Sequence, residues 1–192
     1  MKILFYIEIL ATLFSLMGVY LAARNNVSTW PIGMIGVALL GYIFSETGLY
    51  AEAVLQVIYF FISLYGWWKW KSLDNGEQAK HYFHIPPSLL GSLLLIWLLS
   101  SSVFGYFLSQ IQSSALPYLD TAMATGGILI TWMMAKKYIA HWICWIVIDF
   151  SNIGIFLYKQ LYITAFLYFC FGLMAIYGYQ HWKKTLIAAS SA

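Results

Sequence analysis

Apolar residues fall along this chain in unbroken blocks of about 20 residues, the length a helix needs to cross a bilayer. They do not alternate, so the pattern is not that of a membrane β-barrel. It predicts seven helical spans, at about 3–23, 30–45, 49–70, 88–108, 117–136, 139–157 and 161–182. Polar breaks separate them: Asn25-Asn26-Val27-Ser28, Glu46-Thr47-Gly48, Ser72–Pro87 with its Asp74-Asn75-Gly76 turn signal, Ser109–Pro117, Lys136-Lys137 and Lys159-Gln160. The first block follows Lys2 as a signal peptide would. It is too long for one and contains Glu8, so it reads as a retained helix.

Two spans carry a polar stripe. In the third, Glu52, Gln56, Tyr59 and Ser63 recur at helical spacing and share one face. A carboxylate or amide facing hydrocarbon costs several kcal/mol, so this face must meet protein or a water-filled path. The alternative to a site is a packing stripe whose polar groups bond to neighbouring helices. In the sixth span Trp142, Trp145, Asp149 and Asn152 form a second such face. Two indoles one turn apart, a carboxylate below them and an amide beyond suit a flat cationic ligand. Glu8 and Asp120 lie near span ends, where solvated or structural roles are expected.

The chain repeats itself. A shift of 112 residues lays Leu4–Lys71 over Leu116–Lys183 without a gap. Glu8 then meets Asp120, Trp30 meets Trp142, Tyr65-Gly66 meets Tyr177-Gly178, and Trp70-Lys71 meets Trp182-Lys183. The expected fold is an all-α polytopic membrane protein, with a first three-helix repeat over 1–71 and a second over 116–192. A cytoplasmic loop and linker helix over 72–115 join them, and the linker makes the two repeats parallel. Such repeats place a transporter's site between the halves near the midplane. Glu52 and Gln56 fall opposite Thr164 and Tyr168, a break in symmetry that an asymmetric substrate requires.

Composition agrees with the pattern. The chain of 192 residues is 62% hydrophobic and 9% charged, where a soluble domain has about 25% charged residues. The net charge of +3 is small and sits at helix ends, which argues against nucleic-acid binding. Of the Lys and Arg residues, eight fall on one side (Arg24, Lys69, Lys71, Lys80, Lys136, Lys137, Lys183, Lys184) and Lys2 and Lys159 on the other. That bias puts the N-terminus outside and the C-terminus in the cytoplasm. Cys144 and Cys170 lie in apolar runs without metal spacing and read as small core residues. No cofactor, metal or enzyme constellation is expected, and His81, His84, His141 and His181 read as surface groups at span ends or in a loop.

The motifs LYAEAVLQVIY, YGWWKW, ALPYLDTA, KKYIAHWICW, LYITAFLY and YGYQHW resemble the Pnu vitamin transporter family over nearly the whole chain from the second span onward. The resemblance implies a SWEET-like three-one-three arrangement. It implies a facilitator that lets an unphosphorylated vitamin equilibrate across the bacterial inner membrane, a homotrimer, and a cytoplasmic kinase that traps the vitamin. Gln56, Trp142 and Trp145 match the family's site. The nicotinamide riboside type is expected to carry asparagine at the positions of Asp149 and Gly36, and no acid at Glu52. Those departures make thiamine the expected substrate, with nicotinamide riboside the alternative and a vitamin-binding subunit or sensor a reading of another class. Glu52, Gln56, Tyr59, Asp149 and Asn152 are then the polar contacts, with Trp142 and Trp145 as stacking walls.

Overall fold

Left-handed residues stop four of the helices, and they recur at the interval of the sequence repeat. Asn25 (φ 53°) and Lys137 (φ 58°) are one such pair, Gly48 (φ 76°) and Gln160 (φ 59°) the other. In the computed structural model, which describes residues 2–73, 82–111, 117–158, 160 and 162–190, these turns separate seven helices. They are α1 (Lys2–Ala23), α2 (Thr29–Glu46), α3 (Tyr50–Leu73), α4 (Pro87–Ile111), α5 (Pro117–Ala135), α6 (Ala140–Tyr158) and α7 (Tyr162–Ser190). All seven predicted spans are present, and α7 runs past residue 182 to Ser190. The Asp74-Asn75-Gly76 turn signal, Lys80, His81 and Lys159 lie outside the described residues.

The two turns after α1 and α5 are built alike, bond for bond. Asn25 N–H donates to Ala22 and Asn26 N–H to Leu21, both at 2.9 Å; Lys137 donates to Met134 at 2.9 Å and Tyr138 to Met133 at 3.0 Å. This pair of bonds is the Schellman closure, which uses a left-handed residue to satisfy the last helical carbonyls. α4 and α5 each open on proline, whose fixed φ suits the first helical position and whose missing N–H costs nothing there. Among the described residues five helices (α1, α2, α3, α4, α6) are long and apolar enough to cross a membrane. α5 carries Asp120, several threonines and a Gly-Gly pair, and the later part of α7 carries glutamine, histidine and lysines. Helices that pack inside a bundle tolerate such residues.

Packing follows the repeat and then departs from it. α2 lies between α1 and α3, and α7 lies against α6. α5 packs mainly on α4 rather than on α6. There the Trp97 indole donates to Ala122 at 2.9 Å, Ser101 and Thr125 hydroxyls pair at 2.9 Å, and Thr121 donates to the Ser101 carbonyl at 3.0 Å. The halves meet where α3 crosses α5 and α1 crosses α7.

At the lysine-rich end, four tryptophans join the halves. Trp30 lies on Gly66 and Trp142 on Gly178, so closely that a Cβ at Gly178 would come within 2.6 Å of the Trp142 ring. Each is met edge-on by the tryptophan of the third helix of its own repeat, Trp30 by Trp70 at 5.4 Å and Trp142 by Trp182 at 5.7 Å. The third-helix indoles then cross over. Trp70 donates to Ala135 at the end of α5, and Trp182 donates to Ala22 near the end of α1, both at 3.2 Å. A strap ahead of α4 covers one side. Tyr82 stacks on Trp182 at 4.3 Å, and Phe83 exchanges backbone bonds with Lys137 and Ile139 at 3.0 Å. Burial pushes the Tyr82 phenol up to about 12. His141 departs from the surface role expected for it: it is fully buried, its Nδ1 lies 2.7 Å from the Tyr138 carbonyl, and its ring lies between Trp142 and Trp182.

Gly66 and Gly178 exist to admit indoles. Replacing Gly178 by valine should destabilise the fold by about 1–3 kcal/mol, the usual cost of overpacking a close contact. Gly91→Ala is the control, because a Cβ there meets nothing within 4 Å. Thermal unfolding in detergent checks both, with a lowered midpoint expected for the first and not for the second.

Candidate functional site

The polar stripe of α3 turns inward. Glu52, Gln56 and Tyr59 are half-buried and Ser63 is buried, and the same face continues through Gly66 to Trp70. Gln56 packs on Gly41 of α2, where a Cβ would lie 3.3 Å from its own Cβ. Tyr59 reaches into the second half: its hydroxyl lies against Gly127 of α5, in the space a side chain at 127 would fill. The Trp145 ring of α6 would come within 3.7 Å of the same Cβ. A glycine in mid-helix therefore lets a tyrosine of one half and a tryptophan of the other converge at one point.

Asp149 lies one turn beyond Trp145 and is 5% exposed. It makes no hydrogen bond or ion pair among the described residues, yet it lies within electrostatic reach of Tyr168 on α7. Tyr168 is likewise within reach of Tyr59 and stacks on Phe156 at 5.1 Å. Asn152 follows on the same face of α6, half-buried. Glu52 has a buried Oε2 with no hydrogen-bond partner among the described residues. The result is a cluster of three aromatic rings (Tyr59, Trp145, Tyr168) beside Asp149. Glu52, Gln56 and Asn152 line the stripes that lead from it. Carboxylates buried without partners are costly in a bilayer.

The structure places Trp142 elsewhere. It is 1% exposed, closed in by Gly178, His141 and Trp182. As packed here it offers no open face to a ligand and serves as a floor beneath Trp145, which leans on the same cluster. The periodicity that pairs Trp142 with Trp145 is real, but one indole of the pair is spent on joining helices. Glu8 and Asp120 are both exposed and outside the cluster. Cys144 and Cys170 are half-buried free thiols, and no group of metal-ligating side chains forms among the described residues.

Two members of the cluster escaped the sequence reading as site residues. Tyr168 sits at the repeat position of Gln56, so the internal symmetry carries a signal for it. Gly127 carries none, since its use depends on which helix crosses it.

Comparisons with known proteins agree with this architecture. The model of the family described as "Nicotinamide mononucleotide transporter" matches residues 5–184. The nicotinamide riboside transporter PnuC of Escherichia coli (strain K12) is 26% identical over 202 residues, covering 92% of this chain and 84% of that protein. The nicotinamide riboside transporter PnuC of Neisseria mucosa is also 26% identical, covering 86% of this chain and 67% of that protein. A crystal structure of the vitamin B3 transporter PnuC superposes with a TM-score of 0.75 at 21% identity, over 95% of this chain and 83% of that one, and shows the same fold. With nearly its whole length matched, this chain belongs to the nicotinamide mononucleotide transporter family.

Proposed function

We propose that this protein is a facilitator for nicotinamide riboside or a closely similar flat, cationic vitamin, which it lets equilibrate across a bacterial inner membrane. Membership of the family over residues 5–184 carries this reading, with two relatives bearing the name nicotinamide riboside transporter. The site supports it. Trp145, Tyr59 and Tyr168 offer ring faces to a pyridinium, and Asp149 offers a counter-charge in a low-dielectric setting. Gln56 and Asn152 offer the amide donors and acceptors that a carboxamide and a ribose use.

In this reading residues 1–71 and 116–192 are the two moving halves and 72–115 is the connection. The N-terminus lies outside and the C-terminus in the cytoplasm, since Arg24, Lys69, Lys71, Lys136, Lys137, Lys183 and Lys184 share one end. The substrate lies between the halves, held by Glu52 and Gln56 from the first and by Trp145, Asp149 and Asn152 from the second. Release toward the lysine-rich side needs the halves to rock, parting the Trp70–Ala135 and Trp182–Ala22 bonds. A cytoplasmic kinase traps the vitamin, and the working unit is a homotrimer.

Glu52 favours a second reading, thiamine. A buried carboxylate oxygen without a partner suits an aminopyrimidine edge better than it suits a neutral carboxamide.

Calorimetric titration of the detergent-solubilised protein with each vitamin separates the two. Nicotinamide riboside is expected to give the stronger binding, and thiamine binding alone would replace the first reading with the second. Uptake of labelled vitamin by liposomes containing only this protein tests transport itself, and binding without uptake would leave a sensor. Asp149→Asn should weaken binding of the transported cation by about 1–3 kcal/mol, the loss of a charge-assisted partner. Unchanged affinity in that variant removes Asp149 from the site. Glu52→Gln should weaken thiamine binding several-fold and riboside binding by a smaller factor.

A further inference from the structure

α3 has a second, outer face. Ile58, Phe61, Ile62 and Tyr65 point away from the Glu52–Ser63 stripe and, with Trp132 of α5, line an open groove of about 410 Å³. Its walls are apolar. One end is not: the Lys136 ammonium sits 5.6 Å from the centroids of both Tyr65 and Trp132, two of the rings that form the wall. Lys69 lies one turn beyond Tyr65 on the same face of α3. The groove is thus hydrocarbon-like along its length and cationic at its mouth, and the mouth lies at the lysine-rich end of the molecule.

A groove open to the bilayer at hydrocarbon depth is filled by acyl chain. Two ammonium groups at its mouth sit where phosphates lie. We propose that this groove binds one anionic phospholipid of the adjoining leaflet, with an acyl chain along Ile58, Phe61 and Ile62 and the phosphate at Lys136 and Lys69. A zwitterionic headgroup brings its own cation to the same place and gains less from the pair. A second copy of the chain is the poorer occupant. The carboxylates Glu8, Glu46, Glu52, Asp120 and Asp149 all sit away from the lysine-rich end, so among the described residues a second copy brings no acid to that level. The groove straddles α3 and α5, the pair that Trp70 ties together through Ala135. A bound lipid therefore touches both halves and biases how they sit relative to one another, whatever the protein carries.

The test uses the full chain in phosphatidylcholine vesicles that contain phosphatidylglycerol. Bromine is placed on the chains of one lipid or the other, and tryptophan emission is read with Trp132→Phe to isolate the Trp132 contribution. Brominated phosphatidylglycerol should quench that contribution preferentially. The preference should fall by about fivefold for each lysine removed in Lys136→Gln and Lys69→Gln. Because Trp132 also packs near Tyr138, Phe61→Trp supplies a second reporter on the exposed wall, and it should acquire the same preference. Equal quenching by the two lipids, or a preference that survives loss of both lysines, overturns the proposal. Absence of quenching by either lipid also overturns it, since protein would then cover the groove.

Discussion

Two indole N–H groups hold the halves of this protein together, and both donate across the boundary between them. Trp70 bonds to Ala135 and Trp182 to Ala22, each at the carbonyl end of the other half's first helix. The geometry needs several things at once. The receiving helices end in left-handed turns at Asn25 and Lys137, and the Ala22 carbonyl accepts both the Asn25 N–H and the Trp182 indole. The neighbouring indoles Trp30 and Trp142 must lie flat, and Gly66 and Gly178 leave room. Ala23 and Ala135 must be small enough to vanish into the contact, and both are fully buried. Each is an ordinary hydrogen bond or van der Waals contact, worth about 1 kcal/mol alone. They act together because the same four rings belong to all of them.

Duplication explains the frame, and loss of duplication explains the site. The turns and the glycine-seated tryptophans obey the repeat, and the crossed indole bonds obey it to within one position at their acceptors. The residues of the polar stripe do not: Glu52 faces Thr164, Gln56 faces Tyr168, and Tyr59 faces Phe171 in the repeat alignment. α5 breaks the symmetry further by packing on α4 instead of closely on α6. That shift opens the second half at Gly127, which is where Tyr59 and Trp145 meet. These departures from the repeat fall on the face of α3 that turns toward the second half.

α3 belongs to both regions. Its inner face carries Glu52, Gln56, Tyr59, Ser63, Gly66 and Trp70, passing from site to latch without a gap. Its outer face carries Ile58, Phe61, Ile62 and Tyr65, which line the groove with Trp132. A change in how α3 lies against α5 moves all three surfaces together, because one rigid helix bears them.

The helices, their breaks and their pairing by repeat are legible in the amino-acid order alone, because apolar blocks and helix-stopping residues act over distances of one or a few turns. It also determined the polar stripes, since a carboxylate at Glu52 or Asp149 cannot face hydrocarbon, and that energetic rule needs no tertiary information. Tertiary structure decided what each aromatic does. Trp142 and Trp145 lie one turn apart and look alike in sequence, yet contact with Gly178 and Trp182 turned the first into a floor while the second faces Gly127. His141 looked like a surface group at a helix start and is sealed between indoles. Burial and orientation of this kind depend on residues 18 to 41 positions away, on other helices, and a helical period carries no information about which helix crosses which.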